Sequence, residues 1–510
     1  MKLGIDFGTT RTVVAAAIQG RYAIASFATH SGYTEYLPGV VGLRGDELVL
    51  GVEADSVLAG ADRVVRSLKR STSRVPHTVP PEELAGTSHP SLELVTEFLH
   101  FVRRTVVDRS NLDVSSGEPL EAMVAVPAHA STRQRFLTLE AFKRAGFEVL
   151  GLLNEPTAAA VEFARRHLGI LNRRGPKRYL VVYDLGGGTF DSAAVSLEGR
   201  RFELLTSAGI AECGGDDLDE MLLALALKAA GLVDSFAPVT RVALLRLCQE
   251  SKETLTPGSK KLLIDLGRAV PELEPVVIDV KDFYDRAQPL LERTVQTTRE
   301  VMEHLRAWGI DPNNPREVGA VYLVGGGSAF PPVARRLRDL FGRKVELALQ
   351  PHAATAVGLA VAADPDAGIF LRERVTRFFG VWRDAHSGSE QWFDLLLSRG
   401  DAASAGDTVL VERRYCARHA VGNLRFVECS KVTPTREPAG DLAPWGEVLF
   451  PYDPALRDED DPDRLRAACG DLRTGNEVVE KYVYERNGSV SVTVTNLTHG
   501  YERTYQLGEL

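Results

Sequence analysis

The chain has 510 residues, which is long enough for several domains. Hydrophobic residues make up 44% of the sequence and charged residues 25%, a composition typical of a globular protein in water. The formal net charge of −9 argues against nucleic acid or an anionic membrane as the main partner.

The start of the chain and its cysteines indicate the compartment. Residues 1–5 run directly into a glycine-rich loop, so we expect no removable leader, and no apolar run is long enough to span a membrane. The cysteines are odd in number, widely spaced and without a Cys-x-x-Cys motif, which favours free thiols in a reducing compartment. They are Cys213, Cys248, Cys416, Cys429 and Cys469. We therefore expect a cytoplasmic protein.

Strand and helix patterns alternate up to about residue 365, as they do in α/β folds. Short apolar runs predict strands at residues 3–5, 122–126, 179–183, 192–196 and 321–324. Apolar residues at three- or four-residue steps predict amphipathic helices at residues 290–308 and 333–341. The small, apolar segment 353–363 is expected to pack closely on a sheet.

Beyond residue 376 the pattern changes to short apolar or alternating runs separated by turn residues. These runs are residues 392–397, 408–414, 424–429, 447–450, 478–484 and 489–496. They predict a β-sandwich of about 130 residues. The acidic run at residues 457–463 is interpreted as a solvated loop, because its spacing does not match a calcium-binding loop.

Two loops of one kind, at residues 6–10 and 184–189, each follow an apolar strand and each begin with an aspartate. Glycine lets the backbone approach a phosphate, threonine hydroxyls add hydrogen-bond donors, and the aspartate can hold a metal ion through water. The candidate phosphate-binding residues are Gly8, Thr9, Thr10, Gly186, Gly187, Gly188 and Thr189. Because the pattern occurs twice, we predict two related lobes that close on one nucleotide from both sides.

Further motifs lie around these loops. Residues 154–160 read Asn-Glu-Pro-Thr-Ala-Ala-Ala, and residues 190–191 close the second loop with Phe-Asp. Glycine turns precede helix patterns at residues 214–219 and 323–328. No Gly-x-x-x-x-Gly-Lys-Ser/Thr motif occurs, which excludes a Walker P-loop.

Together these motifs resemble the Hsp70 (DnaK-type) chaperones of the actin–hexokinase–Hsp70 ATPase superfamily. The resemblance covers the nucleotide-binding domain almost end to end, and residues 487–492 extend it more faintly to the peptide-binding sandwich. It implies an α/β, two-lobed actin-like ATPase (ribonuclease H-like) domain at residues 1–365, a linker at residues 366–376 and an all-β sandwich at residues 377–510. Since residue 510 follows the sandwich directly, we expect a divergent member without the family's helical lid.

The resemblance also implies a role for each matching residue, with ATP or ADP and Mg²⁺ as cofactors. The carboxylates of Asp6, Glu155 and Asp184 would hold Mg²⁺ through water. Lys69 aligns with the catalytic lysine, whose charge would stabilise the γ-phosphoryl group, and Asp191 would assist the attacking water. The other implied nucleotide-binding residues are Lys252, Gly325 and Gly326 on the adenosine side, with Gly214, Gly215 and Ser328.

Each role has a structural alternative. Lys69 lies in a basic stretch and could be a solvated charge, and Asp6 and Asp184 could cap turns. The glycine turn at residues 214–219 could be structural, and Ser328 could be a helix N-cap.

The expected adenine pocket departs from the family pattern. The family places two arginines on the faces of the base, but the aligned residues here are Glu253 and Ala329. Gln249 replaces a glutamate, and His352 replaces an acidic residue. We therefore predict weaker or altered nucleotide binding, with ATP still the expected ligand.

The elements that couple the two domains in the family are partly present. Pro127 and Arg135 match its proline switch and arginine relay. The linker at residues 368–374 has only three apolar residues and a basic flank, which puts ATP-driven docking of the domains in doubt. Without a lid, a bound peptide should exchange quickly, held by strand addition and apolar pockets.

The leading hypothesis is a slow, Hsp70-like ATPase that binds unfolded or extended polypeptide segments and acts in protein folding and the stress response. J-domain and nucleotide-exchange co-chaperones are the implied partners. One alternative is a nucleotide-regulated scaffold for one dedicated partner. Another is a small-molecule kinase of the same superfamily, against which the sandwich argues.

Overall fold

The computed structural model describes residues 1–30, 32–73, 91–115, 117–171, 179–372, 374–385, 390–401, 408–468, 470–485 and 488–507. The chain forms two compact units. The first contains residues 1–128 and 139–371, and the second contains residues 129–138 and 372–510. The domain boundaries at residues 365 and 376 stay a prediction. None of the helices in the described ranges is long and apolar enough to cross a membrane.

Two six-stranded sheets form the framework of the first unit. Its strands, in chain order, are β1 (Lys2–Phe7), β2 (Arg11–Ile18), β3 (Arg21–Ile24), β4 (Phe27–Thr29), β5 (Gly32–Thr34), β6 (Leu37–Pro38), β7 (Val40–Arg44), β8 (Glu47–Val49), β9 (Arg63–Arg66), β10 (Glu121–Val126), β11 (Glu148–Asn154), β12 (Tyr179–Leu185), β13 (Phe190–Glu198), β14 (Arg201–Ile210), β15 (Lys261–Ile264), β16 (Val276–Asp279), β17 (Val318–Val324), β18 (Val345–Leu347) and β19 (Phe370–Arg372). All five predicted strands are confirmed, each extended by one or more residues.

The two sheets share one topology. The first has the order β11-β10-β1-β2-β3, with β6 paired to β2, and the second has the order β18-β17-β12-β13-β14-β19. In each sheet the central strand pairs in parallel with one neighbour and in antiparallel with the next strand of the chain. The turn between those antiparallel strands is a predicted phosphate loop in both cases. The repeated loops therefore lie at equivalent positions of two related lobes.

Helices cover these sheets. They are α1 (Ala54–Gly60), α2 (Leu68–Ser73), α3 (Ser91–Arg109), α4 (Thr132–Arg144), α5 (Glu155–Leu171), α6 (Gly215–Ala229), α7 (Pro238–Glu253), α8 (Val280–Ala307), α9 (Pro331–Phe341) and α10 (Ala354–Ala363). Helix α10 packs on β1 and on α5. A Cβ atom on Gly358 would lie 1.8 Å from the carbonyl oxygen of Ala158, so the two helices cross at a distance that only glycine permits. The close packing predicted for residues 353–363 is confirmed.

Helix α8 begins earlier than residue 290. Asp279 caps it by accepting a hydrogen bond from the Lys281 backbone N–H at 2.9 Å, and Pro289 lies inside it. Proline removes a helical hydrogen bond and usually marks a helix boundary, and the helix predicted from the apolar spacing begins directly after it. Ten residues before position 290 are nevertheless helical.

The second unit is a sandwich of two four-stranded antiparallel sheets. Its strands are β20 (Phe378–Ala385), β21 (Glu390–Leu397), β22 (Thr408–His419), β23 (Val421–Val432), β24 (Pro438–Pro451), β25 (Asp471–Glu485), β26 (Val490–Asn496) and β27 (Tyr501–Leu507). The sheets have the orders β21-β20-β23-β24 and β22-β25-β26-β27. The predicted α/β region followed by an all-β sandwich is therefore confirmed.

Three elements of the C-terminal part differ from expectation. Strands β20 and β27 were not predicted, and the short helix α11 (Pro462–Ala467), capped by Asp461, ends the acidic run interpreted as a loop. Two of the three apolar residues of the predicted linker, Phe370 and Leu371, lie in β19, which is beside β14 at the edge of the second sheet of the first unit. Glu373, also in the predicted linker, lies outside the described residues.

The start of α4 belongs to the second unit. The carboxylate of Glu428 accepts hydrogen bonds from the backbone N–H of Thr132 at 2.9 Å and from the indole N–H of Trp445 at 3.1 Å. Arg377 donates to the carbonyl oxygen of His129 at 3.3 Å and lies 3.5 Å from Glu428. Glu428 is buried, so these contacts satisfy a carboxylate inside the unit.

Candidate functional site

The two phosphate loops have the same backbone turn. The N–H of Gly8 donates to the carbonyl oxygen of Arg11, and the N–H of Gly186 donates to that of Thr189, both at 3.0 Å. A Cβ on Gly8 would lie 2.5 Å from the Arg11 carbonyl oxygen. Any larger residue at Gly8 would therefore disturb the turn.

The loops also contact each other. A Cβ on Gly187 would lie 2.3 Å from the hydroxyl of Thr10, and a Cβ on Gly188 would lie 2.6 Å from the methyl group of Thr9. Both glycines are thus needed for the two lobes to approach this closely. The arrangement brings backbone N–H groups and threonine hydroxyls from both lobes into one place, as a site for a polyphosphate requires.

The start of α6 completes the phosphate side. The N–H groups of Gly215 and Asp216 donate to the carbonyl oxygens of Gly186 and Gly187 at 3.0 and 2.7 Å. A Cβ on Gly214 would lie 2.5 Å from the Gly187 carbonyl oxygen. The glycine turn at residues 214–219 is therefore packed directly against the second loop, and its structural role is well supported.

Four carboxylates and one lysine gather beside the loops. Lys69 Nζ donates to Glu155 Oε1 at 2.7 Å, and both side chains are buried. Asp184 and Asp191 are opposite one another in the register of β12 and β13, and Asp6 is the next-to-last residue of β1 in the other lobe. The alternative of a solvated charge at Lys69 is therefore excluded.

Burial and mutual repulsion change the proton affinity of this cluster. Burial, and then the charge of Glu155, raise the pKa of Asp6 to about 7, although Lys69 opposes the shift. Burial also raises the pKa of Asp184 well above its usual value, and the neighbouring carboxylates raise it further. For Lys69, burial alone would lower the pKa, but Glu155 and Asp6 outweigh it and raise the pKa, so the ammonium stays charged.

This cluster fits a divalent cation. Carboxylates that repel each other in a buried site are stabilised by added positive charge, and oxygen is the donor that Mg²⁺ prefers. Among the described residues no three His, Cys, Asp or Glu side chains form a direct metal-binding group. The carboxylate oxygens are donors of the kind that Mg²⁺ prefers, and their contact to the ion through water stays a prediction.

A second set of charged contacts links the lobes above the phosphate loops. Arg66 donates to Asp219 at 2.6 Å and lies 3.0 Å from Asp216, while the hydroxyl of Ser67 also bonds to Asp216. Lys252 donates to Asp219 at 2.6 Å and to the carbonyl oxygen of Gly215 at 2.8 Å. The sequence prediction missed Arg66. Its only signal was a basic stretch, which does not reveal a partner 153 residues away.

The glycine turn at residues 323–328 lies against the Asp184 carboxylate. Gly325 has a positive φ of 81°, and a Cβ there would lie 2.3 Å from the Asp184 carboxylate. The Ser328 hydroxyl donates to the carbonyl oxygen of Val324 at 2.5 Å and accepts from the Leu185 N–H at 3.4 Å. Ser328 thus has backbone partners, and its nucleotide-binding role stays a prediction.

These residues surround a cavity of about 280 Å³. Of the predicted site residues, its lining includes Asp6, Gly8, Thr9, Thr10, Lys69, Glu155, Asp184, Gly186, Gly187, Thr189, Gly215, Lys252, Gly325 and Gly326. Gly188, Asp191, Gly214 and Ser328 are outside the lining. The cavity is also lined by Arg11 and by the four positions that depart from the family pattern, Gln249, Glu253, Ala329 and His352.

Comparison with known proteins agrees with this geometry. The family model described as "Hsp70 protein" matches residues 91–375, more than half of the chain. The chain is 32% identical over 388 residues to the chaperone protein HscA homolog of Azotobacter vinelandii. It is 31% identical to those of Pseudomonas fluorescens over 386 residues and Cupriavidus metallidurans over 388 residues.

Each alignment covers 72% of this chain and 58% of the relative, so the chain spans less than two thirds of the length of these relatives. The family match agrees with the fold, since the two-lobed α/β unit with repeated phosphate loops is the actin-like ATPase domain expected from the resemblance. From its sequence and its fold, the chain belongs to the Hsp70 family.

Proposed function

We propose that this chain is an Hsp70-type chaperone that binds ATP with Mg²⁺ in its first unit and hydrolyses it slowly. Hydrolysis would be coupled to the binding of unfolded or extended polypeptide segments. The observation that supports this most directly is the cluster of Asp6 with the buried side chains of Lys69, Glu155 and Asp184 beside two contacting phosphate loops.

The residues of this cluster suit hydrolysis of a phosphoanhydride. Lys69 keeps its positive charge and is oriented by Glu155, so it would stabilise negative charge that develops on the transferred phosphoryl group. Asp191, opposite Asp184 in the register, would orient the attacking water. When bound, Mg²⁺ would neutralise part of the charge of the β- and γ-phosphates. The loop N–H groups and threonines would hold those phosphates.

The second unit would bind the polypeptide. Among the described strands, β21 pairs only with β20 and β22 pairs only with β25, so each has one unpaired edge to which an extended segment can add. Trp392 on β21 and Leu410 on β22 are 51% and 60% exposed, which provides apolar surface on those strands. J-domain and nucleotide-exchange proteins are the co-chaperones implied by the family, and a cytoplasmic location stays a prediction. Family membership favours this function over the dedicated scaffold and the small-molecule kinase.

Turnover of ATP with and without an unfolded polypeptide tests the proposal. We expect slow phosphate release that increases when the polypeptide is added. In Lys69→Ala the release should fall by about 10²-fold or more, because a buried charge aimed at the reacting group is lost. Lys281→Ala is the matched control, since Lys281 is 79% exposed on α8 and should leave turnover unchanged.

Two results would contradict the proposal. Equal turnover in Lys69→Ala and in the unmodified protein would remove the catalytic role of the cluster. If no unfolded polypeptide changes the rate of ATP turnover, hydrolysis is not coupled to client binding.

A further inference from the structure

Arg11 and Glu253 meet inside the cavity from opposite lobes. Arg11 is the first residue of β2, directly after the first phosphate loop, and Glu253 is the last residue of α7. Arg11 Nη2 donates to both carboxylate oxygens of Glu253 at 2.6 Å. The ring of Tyr36 lies against the guanidinium, with 4.1 Å between Arg11 Cζ and the ring centroid. Two contacts therefore hold the guanidinium in place.

The same guanidinium reaches the glycine turn predicted for the adenosine side. Its Nη1 atom lies 3.9 Å from the position that a Cβ on Gly326 would occupy. Its Nε atom is buried and has no hydrogen-bond partner in the described part of the chain. A buried N–H without an acceptor is destabilising, so an acceptor atom brought by a ligand would be favoured there.

The position of this positive charge is unusual in light of the resemblance. The two residues that align with the family's base-stacking arginines are Glu253 and Ala329, neither of which is basic. The guanidinium instead comes from the facing lobe. Arg11, Gln249, Glu253 and His352 also line a second cavity of about 690 Å³, so the Arg11–Glu253 pair lies at the boundary between the two cavities.

We propose that Arg11 recognises the nucleoside half of the bound nucleotide by donating to its acceptor atoms, with Glu253 and Tyr36 as positioning residues. This inference rests on the proposed binding of a nucleotide. Arg11 would thus recognise the nucleoside on the side of the site where the family's stacking arginines are replaced. A planar, permanently charged group suits this role, because it can donate several hydrogen bonds and also stack.

Ligands of decreasing size distinguish this role from a phosphate contact. Dissociation constants of ATP, ribose 5-triphosphate and inorganic tripolyphosphate are measured by calorimetry in the presence of Mg²⁺. We expect Arg11→Ala to weaken ATP binding by about 10- to 100-fold, the loss typical of one charge-assisted hydrogen bond, and to change tripolyphosphate binding less than about twofold. A matching loss for ribose 5-triphosphate identifies the ribose as the acceptor, and no loss identifies the base.

Two further variants separate recognition from folding. Glu253→Gln keeps the shape of the pair but removes its charge, and should weaken ATP binding without affecting tripolyphosphate. Arg246→Ala is the control, because Arg246 lines the second cavity only and pairs with Asp55 and Glu250. It should bind all three ligands as the unmodified protein does. If Arg11→Ala does not fold, Arg11→Lys, which keeps the charge but loses the planar group, gives the same comparison.

An equal loss for all three ligands would overturn the inference, since Arg11 would then act on the phosphates. Unchanged binding of ATP in a folded Arg11 variant would also overturn it, while leaving the proposed function intact. If the unmodified protein binds none of the three ligands, the proposed function and this inference fail together.

Discussion

The carboxyl group of Asp6 has a raised pKa, which makes the stability of the folded protein depend on pH. Burial and the charge of Glu155 raise the pKa of its carboxyl group to about 7, whereas in the unfolded chain it titrates near 3.8. Between these two values the folded protein holds a proton that the unfolded chain has lost. Stability should therefore fall as the pH rises through this range, and the full cost is present above pH 7. Added positive charge from a bound cation would offset that cost.

Replacement of Asp6 by asparagine tests this account in protein without metal or nucleotide. Because the amide cannot ionise, Asp6→Asn should melt at a higher temperature than the unmodified protein at pH 8, and the difference should shrink at pH 5. Thermal unfolding in EDTA at both pH values measures it. Asp113→Asn is the control, since Asp113 is exposed. A difference between the Asp6 variant and the unmodified protein that does not depend on pH would contradict the explanation.

At the scale of elements, helices α5 and α10 pack closely at Gly358. Gly358→Ala would place a methyl group 1.8 Å from the carbonyl oxygen of Ala158. This oxygen is a backbone atom, so no side-chain rotation can relieve the clash. We expect a loss of about 1–3 kcal/mol in the free energy of unfolding, as for other overpacked cores, measured by denaturant titration. Gly258→Ala is the matched control, because a Cβ there meets nothing within 4 Å. Equal stability of the two variants would show that the helices can separate.

In the second unit, one charged group joins the two sheets. Glu480 on β25 is 0% exposed and accepts hydrogen bonds from Arg383 on β20, at 2.9 and 2.6 Å, and from the hydroxyls of Tyr415 and Tyr482, both at 2.6 Å. Burial would lower the pKa of Arg383, but its hydrogen bonds to Glu480 and the charge of that carboxylate outweigh it and raise the pKa. A buried pair of this kind is costly to break from one side.

Glu480→Ala should therefore destabilise the sandwich by about 3–5 kcal/mol, because the Arg383 guanidinium would remain buried without this partner. Thermal unfolding followed by tryptophan fluorescence measures the change, since Trp382, Trp392 and Trp445 all lie in this unit. Glu477→Ala, at an exposed position of the same strand, is the control. A loss no larger than that of the control would mean that the pair contributes little.

At the scale of the whole molecule, the local patterns could be predicted and the distant pairings could not. Both phosphate loops follow from a short motif after an apolar strand, so their positions were predictable. Strand β20 was missed because Gly380 and the charged Arg383 interrupt its apolar run. The ion pair of Arg11 and Glu253 joins residues 242 positions apart, and the periodicity of a sequence does not predict such a contact. The sequence therefore predicted the positions of the two glycine-rich loops better than the contacts around Arg11 in the same cavity.

The assignment of residues 129–138 to the second unit has a consequence for how this protein can be divided. The polypeptide enters that unit twice, first for ten residues and again from residue 372. A cut near residue 376 would leave the buried Glu428 in one fragment and its donor, the Thr132 N–H, in the other. Arg377 and its acceptor on His129 would be parted as well. The buried Glu428 carboxylate would then lack one of its donors, so we expect a sandwich fragment without residues 129–138 to be less stable than one that includes them.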